Sequence, residues 1–354
     1  MRWDSKLAAG MARPLRIEYP GAAYHVMARG NQGRAIFGDD TDRKRFVETL
    51  AEACEKTGWR IHAYVLMGNH YHLLVETPEG NLVAGMKWLQ GTYTQRYNGR
   101  HKVLGHLFQG RYRAVVVDAK DPQYLQVVST YIHLNPARAG LMRIGRDKLK
   151  RYRWSSYPWY LSRRCPGWLV RVEVMGSLGL RAGDRRGYEA NLEGRVLELG
   201  MKACRREWEG KWKALRRGGY LGQASFWQKL EVWLAKAVNG RRRESHSGAA
   251  RQAHDEAAAE RLALEGMKVF GIDAAGLAAM PRITPEKVVL AWWLRRRTTV
   301  SLRWVSERLQ MGHYTRVTQA VSRMNRQPGR KLRRLSEALL AADLEDKGSN
   351  AKLS

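Results

Sequence analysis

The sequence predicts an α+β protein: a ferredoxin-like antiparallel sheet with helices on one face in its first half, then an all-α region that includes a helix-turn-helix. Three observations predict it. From Tyr24 to Leu134, alternating and helical runs follow one another in the order β-α-β-β-α-β-α. Past residue 180 the strand-like runs give way to charge-dense helical periodicity. The 44% apolar residues, with 13 Trp among them, can fill cores and exclude disorder over most of the length.

Each element has its own local reason. Tyr24 to Arg29 (YHVMAR) alternates as a strand and runs into the turn cluster Gly30-Asn31-Gln32-Gly33. Thr41 to Thr57 is an amphipathic helix with Thr41 as N-cap, Phe46, Leu50 and Cys54 on one face, and Gly58 as its stop. Arg60 to Leu66 and Tyr71 to Glu76 are strands joined by Met67-Gly68-Asn69, which makes a hairpin. Leu82 to Tyr97 aligns Met86, Leu89 and Tyr93 along one helical face. Arg111 to Asp118 (RYRAVVVD) is a strand, and Pro122 to Leu134 is a helix halted by Pro136. In the second half, Arg185–Leu215, Gln223–Val238 and Glu286–Leu340 are helical, while Asn239 to Ser247 (NGRRRESHS) is polar, aperiodic and reads as a linker. The expected organisation is a leader over 1–11, an N-terminal domain over 12–180, a basic helical region over 181–280 with a linker near 239–252, and a DNA-binding domain over 281–345.

Charge narrows the function. The chain sets 63 Lys and Arg against 33 Asp and Glu, a net +30, which seeks a polyanion. No uninterrupted apolar run reaches the roughly 18 residues a membrane span needs. Cys54, Cys165 and Cys204 make neither a disulfide framework nor a CxxC zinc pair, and Met1 to Gly10 lacks the apolar core of a secretion signal. A cytoplasmic nucleic-acid-binding protein is expected.

Two motifs carry chemistry. In Gly68-Asn69-His70-Tyr71-His72, alternate strand residues share a face, so His70 and His72 project together. Such a pair can hold one divalent metal through two ring nitrogens, or be two inert histidines on a half-exposed strand. In Tyr131-Ile132-His133-Leu134-Asn135-Pro136, the i, i+4 spacing puts Tyr131 and Asn135 on one helical face. A phenol is a competent nucleophile toward phosphorus, and an amide oxygen can complete a metal shell; the alternative is a buried tyrosine beside a helix-ending asparagine. Arginines interleaved with aromatics, Arg111-Tyr112-Arg113 and Arg151-Tyr152-Arg153-Trp154, suit an unpaired strand whose phosphates meet cations and whose bases stack, or a solvated basic face. Arg205-Arg206, Lys211-Trp212-Lys213 and Arg216-Arg217 admit the same two readings.

Together with Asn31, Phe37, Asp42-Arg43, His62 to Met67, Asn69 to Leu74, Arg138-Ala139-Gly140 and Trp154 to Tyr157, these residues resemble the REP-associated tyrosine transposases, single-tyrosine HUH enzymes of single-stranded DNA. The resemblance covers about residues 12–175. It implies a ferredoxin-like fold, His70 and His72 as the metal-binding pair, Tyr131 as nucleophile, and Asn135 where related insertion-sequence enzymes place a Gln ligand. It further implies Mg²⁺ or Mn²⁺ as cofactor, a hairpin-forming palindromic DNA as substrate, a 5′-phosphotyrosine intermediate, a monomer or homodimer, and work on the bacterial nucleoid. No base for the Tyr131 proton declares itself; His133 and a metal-polarised water are both open. Arg111, Arg113, Arg153 and Trp154 are the expected DNA contacts of this domain.

Further on, an apolar helix from Lys287 ends in Arg295-Arg296-Arg297. Ser301 then caps a helix with Leu302, Val305 and Leu309, Gln310-Met311-Gly312 turns the chain, and Tyr314 to Met324 places Val317, Ala320 and Val321 inward. The outward set includes Arg316, Gln319 and Arg323, polar enough for a recognition helix. The segment resembles the helix-turn-helix of the replication initiator DnaA, which implies duplex DNA as a further partner. The rival reading of the whole chain is a sequence-specific DNA-binding regulator without catalysis.

Overall fold

The computed structural model describes residues 17–217, 219–239, 249–326 and 328–350, grouped in two compact units. The expected leader over 1–11 and most of the linker near 239–252 lie outside the described residues.

The first unit is built on a five-stranded sheet. Its strands are β1 (Ala22–Arg29), β2 (Arg60–Leu66), β3 (His70–Thr77), β4 (Arg113–Val117) and β5 (Gly219–Leu221), in the order β2-β3-β1-β4-β5. The first four pair antiparallel, β2 and β3 as a hairpin; β5 pairs parallel with β4. The hairpin turn is pinned from outside, since Gly30 N–H donates to the Asn69 carbonyl at 2.8 Å and Ile36 N–H to that of Gly68 at 3.1 Å. Gly30 is obligatory: a Cβ there would sit 2.0 Å from the Arg34 carbonyl oxygen.

The helices of this unit are α1 (Asp40–Thr57), α2 (Leu82–His101), α3 (Pro122–His133), α4 (Asn135–Arg138), α5 (Tyr157–Leu161), α6 (Val172–Ser177), α7 (Arg185–Gly200), α8 (Lys202–Arg217) and α9 (Ala224–Asn239). They do not lie on one face of the sheet as expected. Tyr24, Val26, Leu73 and Val75 meet Phe46 and Leu50 of α1 and Leu82, Met86 and Leu89 of α2 in one core. Ala23, Val65, Leu74, Val115 and Val117 meet Leu125, Val128 and Ile132 of α3, Leu192 and Val196 of α7, and Trp212 of α8 in another. The physical reason is in the strands, which are apolar in both parities and so must be covered twice.

Other expectations are adjusted. The N-cap of α1 is Asp39, whose carboxylate accepts from Asp42 N–H at 3.0 Å, rather than Thr41. Gly58 ends α1 as expected, with φ +69° and its N–H on the Cys54 carbonyl. A strand occurs beyond residue 180: β5 is three residues long, too short for periodicity to register. The region expected over 181–280 is split, since α7 and α8 complete the core of the first unit.

The second unit is helical: α10 (Ala249–Val269), α11 (Ala274–Ala279), α12 (Pro285–Arg297), α13 (Leu302–Arg308), α14 (Thr315–Arg326) and α15 (Arg330–Asn350). Its core gathers Val289, Trp293 and Leu294 of α12, Val305 and Leu309, Val317 and Met324 of α14, and Leu332 and Leu339 of α15. Ser301 caps α13, its hydroxyl accepting from Trp304 N–H at 3.1 Å. The chain turns between α13 and α14 through Gln310 and Gly312, both at positive φ. Among the described residues no helix is long and apolar enough to cross a membrane.

Candidate active site

Sheet register assembles the site. Met27 of β1 pairs with His72 of β3 and Arg29 with His70, while Met27 also pairs with Arg113 of β4. Residues directly opposite share a face, so His25, Arg29, His70, His72 and Arg113 all look toward α3. Tyr131 on α3 faces back: its ring centroid lies 5.4 Å from that of His72 and 5.4 Å from that of His25. His70 and His72 stand 5.2 Å apart at a right angle. The structure thus brings together His70, His72 and Tyr131, from a hairpin and a helix more than fifty residues apart.

Hydrogen bonds set which ring nitrogens are free. Asn69 Nδ2 donates to the Gly33 carbonyl at 3.0 Å, which orients the amide and aims its Oδ1 at His70 Nδ1, 2.8 Å away. That oxygen can only accept, so His70 carries its proton on Nδ1 and presents the Nε2 lone pair. His72 Nδ1 is engaged by His25 Nε2 at 3.0 Å, which again leaves Nε2. Burial, then the Arg29 guanidinium, lowers the pKa of His70. Burial, then His25, His70 and Arg138, holds His72 well below the ordinary imidazole range. Both rings are therefore neutral, as ligation requires. Among the described residues no three His, Cys, Asp or Glu side chains converge as a metal cage. Two imidazole Nε2 atoms plus oxygens from an amide, water or phosphate still suit a divalent ion with an incomplete protein shell. The donor set fits.

Asn135 is buried, and its Nδ2 donates to the Tyr131 carbonyl at 3.2 Å, leaving Oδ1 as its open acceptor. Tyr131 is 4% exposed; one side is covered by the Arg138 guanidinium, 4.7 Å from its ring, and by Trp212 of α8, 5.5 Å away edge-on. His133 faces elsewhere. It is fully buried, with Nδ1 on the Tyr188 hydroxyl at 2.8 Å and Nε2 on the Ser156 hydroxyl at 2.6 Å, so it is not a base for Tyr131.

Of the expected DNA contacts, Arg111, Arg113 and Arg153 are exposed. Trp154 is half-buried between cations, with the Arg43 and Arg153 guanidiniums 5.6 and 5.2 Å from its ring. In the second unit Gln319 and Arg323 are exposed on α14, whereas Arg316 Nη1 closes the turn on the Met311 carbonyl at 2.8 Å. The side chains of Lys211, Lys213, Arg216 and Arg217 lie outside the described residues. Sequence reasoning missed His25 and Arg29, which the alternation of YHVMAR puts on one face and could have flagged. Trp212, read in the sequence as part of a phosphate-tracking or solvated face, is instead buried against Tyr131.

Residues 19–135 match the family described as "Transposase IS200 like". This segment, about a third of the chain, is similar to the IS200-like transposases. A solved structure, "Structure of the REP associates tyrosine transposase bound to a REP hairpin", aligns with 46% of this chain and 99% of its own at 14% identity and a TM-score of 0.36. No curated protein matches the chain.

Proposed function

We propose that the first unit is a metal-dependent single-strand DNA transposase and endonuclease of the REP-associated type, with Tyr131 as nucleophile, His70 and His72 as metal ligands, and Asn135 Oδ1 as a third. The observation that supports it most is the approach of Tyr131 to His72 across the sheet face, with both imidazole Nε2 atoms left open. When bound, Mg²⁺ or Mn²⁺ supplies polarisation of the scissile phosphate.

The chain's own groups do the rest. The Tyr131 oxygen attacks phosphorus, a P–Oη bond forms, the P–O3′ bond breaks, and the products are a 5′-phosphotyrosyl link and a free 3′-OH. The phenol proton passes to solvent, since no side chain among the described residues hydrogen-bonds this hydroxyl. Reversal by another 3′-OH rejoins strands without ATP. The strand must lie between β3 and α3, which a hairpin with a flanking tail can do more readily than a duplex. Arg113, which shares the face of His72, and Arg111 and Arg153 offer phosphate contacts. The helix-turn-helix of the second unit binds duplex DNA through Gln319 and Arg323, in a protein of the bacterial nucleoid.

The test is a denaturing gel of the full chain with a 5′-extended DNA hairpin and Mg²⁺ or Mn²⁺. The wild type forms an SDS-resistant adduct and Tyr131→Phe does not. Cleavage surviving in that variant transfers the chemistry to water or another tyrosine; binding with no cleavage in either protein establishes the regulator instead.

A further inference from the structure

Arg138 has a setting that the reaction as drawn does not use. It ends the short α4, seven residues beyond Tyr131, and its guanidinium carbon lies 4.7 Å from the Tyr131 ring and 4.6 Å from the Trp212 ring. Trp212 is fully buried and stacks on Trp208 at 5.2 Å, so α8 brings a rigid aromatic surface to the guanidinium. This helix falls outside the segment 19–135 that matches the family.

A guanidinium spread on aromatic faces is held through its plane, and its N–H donors point outward along the edge. Elsewhere in this unit the partly buried arginines spend those donors: Arg96 on Glu52, Arg100 on Asp39 and Asp42, Arg195 on Thr130. The Arg138 side chain makes no hydrogen bond or ion pair among the described residues; the rings it packs against are those of Tyr131 and Trp212. It is thus a positioned cation with an unused planar fork, beside the side chain proposed to attack phosphorus. A planar fork matches two non-bridging oxygens of a phosphodiester.

We propose that Arg138 binds the phosphate at which Tyr131 reacts, with Trp212 of α8 holding the guanidinium in place. This rests on Tyr131 being the nucleophile. The bond changes are unaltered: Arg138 gains and loses no proton, and offsets negative charge on the non-bridging oxygens as the P–Oη bond forms. A segment beyond the family match would then complete the site.

Two measurements on the full chain test it. In single-turnover adduct formation on a 5′-extended hairpin, Arg138→Ala slows the reaction about 100- to 1,000-fold while hairpin affinity stays within about threefold, the size expected for one lost charge-stabilising donor. Arg138→Lys restores little of the rate, because it keeps the charge without the fork, and added guanidinium restores part of it in the Ala variant. In parallel, inorganic phosphate shifts one arginine Nε–Hε resonance of the wild type that is absent from Arg138→Lys. A wild-type rate in Arg138→Ala overturns the proposal. So does a loss of hairpin affinity and melting temperature in step with the rate. If the wild type forms no adduct on any hairpin, the assignment of Tyr131 falls, and the phosphate titration alone decides Arg138: a shift of its resonance upholds phosphate binding and a flat titration refutes it.

Discussion

His25 Nε2 lies 3.0 Å from Nδ1 of His72, and His25 Nδ1 is buried with no hydrogen-bond partner among the described residues. One proton must lie between the two rings, and its placement decides whether His72 can ligate. When His72 donates from Nδ1, its Nε2 lone pair is open, and a neutral His25 then carries its own proton on the partnerless Nδ1. When His25 donates from Nε2, His72 holds its proton on Nε2 and is closed to a metal. His25 Nδ1 is unpartnered in both arrangements, at a cost of about 1–3 kcal/mol, so a ligand at Nε2 of His72 selects the first. His25 is thus the partner that sets the tautomer of His72.

Removing that partner should weaken the proposed metal site. His25→Ala strands the Nδ1 proton of His72 and lowers Mn²⁺ affinity about 10- to 100-fold, the usual cost of losing such a partner. Isothermal titration or Mn²⁺ paramagnetic resonance reads the affinity without any DNA. Equal affinity in the variant and the wild type would show that His72 does not ligate through Nε2.

Acid sensitivity follows from His133. Burial drives its pKa down to about 3 from an ordinary value of 6.5. Between those values the unfolded chain binds the proton and the folded chain does not. Stability contributed by the neutral ring is therefore complete above pH 6.5 and declines as pH falls toward 3, at up to ~1.4 kcal/mol per pH unit. Comparing urea midpoints near pH 5 and pH 7 should show a smaller difference in His133→Gln; an unchanged difference would place the acid sensitivity in other groups.

Gly85 illustrates packing overruling propensity. Glycine within a helix normally gains about 1 kcal/mol on replacement by alanine. Here a Cβ would stand 2.1 Å from the Trp59 ring, itself buried and held by Asn81 Oδ1 at 2.8 Å. Gly85→Ala should lose about 1–3 kcal/mol, while Gly91→Ala on the same helix, with open space at its Cβ, should not. Chemical denaturation of both variants checks the sign, and equal midpoints would mean that α2 can shift away from Trp59.

The proposed duplex binding by α14 predicts a salt signature. Arg323→Ala should weaken binding across duplex sequences and reduce the slope of log affinity against log salt by about one, whereas Gln319→Ala should relax sequence preference and keep the slope. Arg316→Ala should instead loosen the turn it closes on Met311, seen as a lower melting temperature. An unaltered slope in Arg323→Ala would remove that side chain from the interface.

Much of the fold was legible because its causes are local. Asp39 to Gly58, the hairpin around Gly68 and the cap at Ser301 depend on neighbours within a few residues, and their boundaries shift only by small amounts. The pairing of His70 with His72 was legible for the same reason, since strand alternation is a property of consecutive residues. β5 was not, because three residues form a strand only when β4 offers an edge.

What the sequence by itself determined is the set of reactive groups and the elements that carry them: two histidines on a strand, a tyrosine one helical turn before an asparagine, and a strongly cationic chain. Only the tertiary structure decided who meets whom. Sheet register set His25 against His72, α3 brought Tyr131 over both, and α8 returned from far along the chain to place Trp212 against Arg138. It also placed His133, two residues from Tyr131, in a different hydrogen-bond network. The physical reason is that local propensity is fixed by adjacent residues, whereas hydrogen bonds and ring contacts across the sheet depend on burying both of its apolar faces at once.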